Sequence, residues 1–267
     1  MKPIPCAPKI LLLLSTIIPL SAAERTWTGG DDSASDWSLN DNWLNGAPAL
    51  DDSIRFDSNS VDRLSTVNDL IDWRIFGITV DDPAGDVSIS GETFTQGAGG
   101  ITLGSSRNLS LIPGPITAEG MSNATALGAN QTWQIAEGRT LTMGAIANAP
   151  ADDITVTVQG GGLLRFFNQG NLFQHSPNWN GTIRLDNSSL YAQIGIILNT
   201  DLTTANAERA LGDGSTVILN NADFHFAMNF DTSVNLKTTW WWKMIRPFAW
   251  NSFPEPTLGG PVSMCSR

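Results

Sequence analysis

Apolar and polar positions alternate along most of the chain in short bursts, and the bursts come in pairs. Ile78-Thr79-Val80 is followed by Val87-Ser88-Ile89, and Ile101-Thr102-Leu103 by Leu109-Ser110-Leu111. Trp133-Gln134-Ile135 precedes Leu141-Thr142-Met143, Ile183-Arg184-Leu185 precedes Leu190-Tyr191-Ala192, and Val217-Ile218-Leu219 precedes Phe224-His225-Phe226. A period of two over a few residues marks a half-buried strand. Gly, Asn and Asp fill the gaps, and these residues tolerate left-handed backbone angles. The first strand of each couplet starts at Ile78, Ile101, Trp133, Val156, Ile183 and Val217, in steps of 23, 32, 23, 27 and 34 residues. Such intervals suit one coil of a stacked repeat with loops of variable length. A coil this short cannot bury both faces alone, whereas stacked coils share one core of Ile, Val and Leu. A β-sandwich is the other architecture built from short alternating strands. Triplet strands with glycine at both ends favour an all-β, right-handed parallel β-helix or β-solenoid with short irregular coils.

Three stretches break the pattern. Residues 24–69 carry Trp27, Trp37 and Trp43 among Gly, Asn and Asp, and predict a capping segment, since bulky rings can plug the open end of a solenoid. The same rings would alternatively form an exposed platform for sugars. Leu202 to Leu211 offers two or three helical turns stopped by Gly212, or a loop on the side of the coil. Residues 237–267 lose the alternation and gather four of the ten tryptophans. They read as foreign to the fold, an out-of-frame or disordered tail, or else as an aromatic C-terminal cap. The repeats proper then span 70–236.

Lys2 and Lys9, the apolar run of 11 residues from Ile10 to Leu20, and Ser21-Ala22-Ala23 have the layout of a secretory signal peptide, residues 1–23. The run is too short for a membrane span, which takes about 20 residues, and no transmembrane segment is expected in the mature chain. Removing the signal leaves about 244 residues with 13 Lys and Arg against 26 Asp and Glu, a net charge of −13. That field argues against nucleic acid and anionic membranes as partners. Cys6 leaves with the signal and only Cys265 remains, so stability must come from packing and backbone ladders.

TWTGG at 26–30, GITV at 77–80, GGITLG at 99–104, LGANQTWQIAEGRTLTMG at 127–144 and ALGDGSTVILNNA at 210–222 together resemble proteins that carry autotransporter-associated β-strand repeats. The resemblance runs from about Arg25 to Asn235 and is one of pattern more than of specific motif. It implies a parallel β-helical passenger region, displayed on or released from Gram-negative bacterial cells. It assigns no catalytic residue. The expected localisation is therefore exported: extracellular, cell surface or periplasm.

Candidate chemistry is sparse. His225 alternates with apolar neighbours and should face outward, and His175 sits in a loop; neither lies in a nucleophile-elbow pattern. The acid pairs Asp31-Asp32 and Asp152-Asp153, like Asp51-Asp52 and Asp81-Asp82, could hold a weak structural calcium ion, which takes several oxygen ligands. The plainer role is turn capping. No other cofactor is implied. Trp27, Trp37, Trp43 and Trp179 are the candidate sugar-stacking residues if exposed. Arg165 and Arg184, both inside strands, would form an outward row. The sequence thus predicts a non-enzymatic exported scaffold or adhesin-like surface protein that meets extracellular polysaccharide or cell-surface components. A carbohydrate-binding module and a β-helical polysaccharide lyase or hydrolase are the rival readings.

Overall fold

A computed structural model describes residues 22–112, 124–148, 153–166, 179–194, 215–228 and 239–243. The segment to residue 21, His175, Asp152, the 202–211 helix candidate and most of 237–267 lie outside them. The described chain is all-β apart from one 3-10 turn at Asn40–Asn42. Its strands are β1 (Glu24–Thr26), β2 (Ser53–Phe56), β3 (Ser65–Asn68), β4 (Trp73–Val80), β5 (Val87–Gly91), β6 (Phe94–Leu103), β7 (Leu109–Leu111), β8 (Thr125–Leu127) and β9 (Gln131–Ile135). They continue as β10 (Thr140–Met143), β11 (Ile146–Asn148), β12 (Thr155–Gln159), β13 (Leu163–Phe166), β14 (Thr182–Asp186), β15 (Ser189–Ile194), β16 (Thr216–Asn220), β17 (Asp223–Met228) and β18 (Thr239–Lys243).

The couplets are not hairpins. The first strand of each joins one ladder, β1-β2-β4-β6-β9-β12-β14-β16-β18, and the second joins another, β3-β5-β7-β10-β13-β15-β17. Neighbours within each ladder run parallel. Parallel pairing of successive strands needs a crossover, and here the opposite ladder supplies it. The result is a β-solenoid of about six turns.

Register turns the alternation into continuous rows. Ile54, Ile78, Ile101, Trp133, Val158, Leu185 and Leu219 stand in line, all buried. Val87, Leu109, Leu141, Leu164 and Leu190 do the same on the facing ladder. Each buried aliphatic side chain contributes roughly 1.5–3 kcal/mol relative to exposure. The predicted frame slips by two at one step: Trp133 pairs with Val158, and Val156 with Gln131. Such a slip leaves every side chain on its original face, so the apolar pattern cannot detect it. Gln131, two residues before Trp133 on the same face, is also inside, and its Oε1 accepts the Trp133 indole N–H at 2.8 Å.

A third, shorter ladder precedes the first in several coils. Trp73–Ile75 of β4 pairs with Phe94–Gln96 of β6, β6 with β8, and β8 with β11. The register between β4 and β6 is irregular at Ile75/Gly77, where the chain passes from one ladder to the next. Gly100 on this joint has φ +63°, and a Cβ there would lie 2.1 Å from the Thr132 carbonyl oxygen. Only glycine fits.

The N-terminal segment closes the stack, and the expected division at residue 69 does not separate it from the repeats. β2 and β3 already occupy both main ladders. β1 covers the edge of β2, and the Asp36 bridge to Val67, with Trp37 N–H donating to the Val67 carbonyl at 2.9 Å, covers the edge of β3. Nor is the 237–267 segment wholly outside the fold: Thr239–Lys243 pairs in register with β16.

Candidate functional site

The four tryptophans proposed for sugar stacking are core residues. Trp27, Trp37 and Trp179 are 0% exposed and Trp43 is 4% exposed. Trp43 stands edge-on to Trp27 at 4.9 Å and to Trp37 at 5.9 Å between ring centroids. Trp37 in turn lies 5.8 Å from Phe94, and Trp27 6.3 Å from Phe56. Their indole N–H groups donate inside the cap: Trp27 to the Asp62 carbonyl, Trp37 to Thr66 Oγ1 and Trp43 to the Trp37 carbonyl. A ring without an exposed face cannot stack on a sugar. Trp27, Trp37 and Trp43 plug the first coil, and Trp179 is buried farther along the stack, just before β14 and against Gly181.

The acids behave as turn residues. Asp31 Oδ1 accepts the Ser33 hydroxyl at 2.6 Å and the Ser33 and Ala34 N–H groups at 2.7 and 2.9 Å. These bonds, the Ser33 hydroxyl first, hold its carboxyl below the ordinary value. Asp32 is exposed, and its carbonyl accepts from Arg63. Asp153 adopts φ +63° in the turn before β12, several coils away from Asp31. Among the described residues no three His, Cys, Asp or Glu side chains gather where a metal ion could sit.

Arg165 and Arg184 do not form one row. Arg165 lies on β13 in the second ladder and Arg184 on β14 in the first, because they belong to the two different halves of a coil. Arg184 bonds Asp186 at 2.9 Å. Burial pushes the Asp186 carboxyl up, but Arg184 and Asn220 outweigh that and hold it low.

The outer wall is ordered by the same register as the core. On the first ladder Thr79, Thr102, Gln134, Gln159, Asp186 and Asn220 stand in one column. Gln159 donates to Gln134 at 2.8 Å, and Asn220 to Asp186 at 2.9 Å. Beside this column Ala98, Gly99, Asn130, Gln131, Thr132, Thr155 and Thr157 line a shallow open groove of about 380 Å³. On the second ladder Ser65, Ser88, Ser110, Thr142, Arg165, Tyr191 and His225 form one outward column. The Arg165 guanidinium lies over the Tyr191 ring, 5.6 Å from its centroid. His225 is exposed, as its alternation with Phe224 predicts.

Tyr191 is the feature that sequence reasoning passed over. It is the single tyrosine of the chain, but it reads as an ordinary strand residue until the register sets it between Arg165 and His225. Lining up the couplets Leu163–Phe166, Ser189–Ala192 and Asp223–Phe226 by their apolar positions would have shown the column.

No family model, curated protein or solved structure matches the chain.

Proposed function

We propose that the protein is an exported, non-catalytic β-solenoid of the passenger type, of the kind its resemblance to autotransporter-associated β-strand repeats implies. Its work is contact: a long outer wall meets extracellular polysaccharide or cell-surface components by many weak interactions that add up through multivalency. The observation that carries this reading is the division of labour across the ladders. From β2 to β16 most large apolar side chains point inward, with Phe76 an exposed exception, while Ser, Thr, Gln and Asn recur among the outward positions at the strand spacing of about 4.8 Å. Several arginines on the wall engage acids within a coil or in the adjacent coil. Arg55 bonds Asp57 and Asp81, both at 3.0 Å, and Arg25 bonds Asp52 at 2.7 Å. Such pairing braces a surface.

The test is fractionation of a Gram-negative host expressing the whole chain with a C-terminal tag. The chain should leave the cytoplasm, lose residues 1–23, and become accessible to antibody or protease added outside the inner membrane. Retention in the cytoplasm with residues 1–23 intact overturns the export reading. Release of oligosaccharide from polysaccharide by the purified protein overturns the non-catalytic one.

A further inference from the structure

We propose that the groove on the first ladder, with Phe76 at its head, is a binding site for an extended neutral glycan. This rests on the reading of the wall as an extracellular contact surface and names its partner class and residues. Phe76 is an aromatic ring with an open face: it is 44% exposed, whereas Trp27, Trp37, Trp43 and Trp179 are closed off in the core. A single exposed apolar side chain is ordinary; Phe76 is set apart by its place. Between the paired positions Ile75 with Gln96 and Gly77 with Gly100, one residue of β4, Phe76, faces three of β6, Gly97, Ala98 and Gly99. The ring lies against Gly99, where an added Cβ would come within 2.6 Å of Phe76 Cδ1. Ala98 and Gly99 are themselves part of the groove lining. No side chain larger than a methyl group stands there, so a ligand can approach the backbone closely beside the ring.

The rest of the lining is polar and uncharged. Asn130, Thr132, Thr155 and Thr157 contribute to it, and no ionisable side chain does. Thr157 stands in register with Thr132 on the next coil. Asn130 Oδ1 accepts the Thr155 backbone N–H at 2.7 Å, which fixes the plane of the amide and leaves its NH2 group to donate to a ligand. Each threonine hydroxyl can both donate and accept. An aromatic face beside a few hydroxyl and amide groups suits a sugar ring, with its apolar C–H face and polar rim. Phe76, Gly99, Thr132 and Thr157 come from four successive strands of the ladder, β4, β6, β9 and β12. They span three strand separations, about 14 Å, and each step is close to the advance per residue of an extended glycan. A polymer laid along the solenoid axis can meet each in turn. The arginines that flank the groove on this wall, Arg74 and Arg184, engage Asp51 and Asp186. The chain as a whole is strongly acidic; that field repels a polyanion and leaves an uncharged polymer unaffected.

The experiment is affinity electrophoresis of the purified whole protein in gels containing hydroxyethylcellulose, galactomannan or carboxymethylcellulose; the last carries carboxylates on the same backbone as the first. The wild type should be retarded by at least one of the two neutral polymers, more than by the carboxymethyl form. Because no charge is involved, the retardation should be the same at low and high salt. Phe76→Ala should weaken it about tenfold, the worth of one aromatic stack, and Phe76→Trp should retain it. Thr157→Val, which keeps the shape and removes a hydroxyl, should weaken it about threefold, the loss of one neutral hydrogen bond. Circular dichroism and thermal melting check that each variant is folded. Retardation by neither neutral polymer, a preference for the carboxymethyl form, or a folded Phe76→Ala protein that binds like wild type overturns the proposal. A protein exported but blind to both neutral polymers sinks this site alone. A protein retained in the cytoplasm sinks the reading beneath it.

Discussion

Trp27 has no exposed surface, yet its indole N–H still reaches the Asp62 carbonyl at 3.2 Å. Truncation removes both the ring that fills the end of the core and the donor that satisfies that carbonyl. Trp27→Ala should therefore cost about 3–5 kcal/mol, the range for large buried aromatics, while Trp27→Phe should cost clearly less because most of the volume stays. Denaturant unfolding of the two variants measures the difference; a Trp27→Ala protein as stable as wild type would mean that the ring is not part of the core. Asp86 shows a second kind of residue effect. The Asn108 backbone N–H and then its side-chain amide donate to its carboxylate at 2.9 and 3.0 Å and hold its pKa below the ordinary 3.8. A group depressed in the folded state contributes stability above its unfolded pKa and loses it as pH falls through the folded one. Asp31, held down first by the Ser33 hydroxyl, and Asp51, held down first by Arg74, shift the same way. Thermal stability should hold from neutral pH toward 3.8 and decline below it. Asp86→Asn should flatten that decline, which melting curves across the acid range will show.

At the scale of the element, in-and-out alternation was legible because only one face of each strand is buried, and Val, Ile, Leu and Thr mark it without ambiguity. Register was not, as the shift of two at Trp133 shows. What sets register is turn geometry, and several turns are held by residues with positive φ such as Asp82, Asn187 and Asn221. Their spacing carries no hydrophobic signal. β18 was illegible for another reason: Trp240-Trp241-Trp242 does not alternate, but aromatic residues favour strands and the edge of β16 supplies backbone partners. The outward column was hidden because its members sit a coil apart in sequence and touch only through the ladder. Glycines separate local from long-range constraint. Gly138 has φ +74° and nothing within 4 Å of an added Cβ, whereas Gly100 has φ +63° and the Thr132 carbonyl 2.1 Å away. Gly138→Ala should cost about 1–2 kcal/mol, the left-handed penalty alone. Gly100→Ala should add overpacking of about 1–3 kcal/mol to it. Equal losses in paired denaturant titrations would show that the joint between ladders yields and is not fixed by this contact.

Over the whole molecule, each coil touches mainly the coils before and after it, so stability is close to a sum of coil and interface contributions. The weak points of such a stack are its ends, where a parallel ladder presents unpaired N–H and C=O groups to any passing strand. At the N-terminal end the protein covers both ladders at once, β2 with β1 and β3 with the Asp36–Trp37 segment, and fills the opening between them with three indoles. One segment thus performs edge protection and core closure together. Deleting residues 24–56 would strip the first ladder back to β4 and leave Phe94 without its Trp37 neighbour. The edge of β4 is long and its inward residues Ile75, Ile78 and Val80 are apolar, which makes it a template for pairing with a second copy. The shortened chain should run as dimers and larger species on size exclusion, bind a hydrophobic dye, and lose amide protection first at β4 and β5. Protection near β13 and β14 should persist longest, because the coils there are stacked on both sides. A shortened chain that stays monomeric and melts in one sharp step would show that the ladders end without help, and that the aromatic cap serves some purpose other than closing the stack.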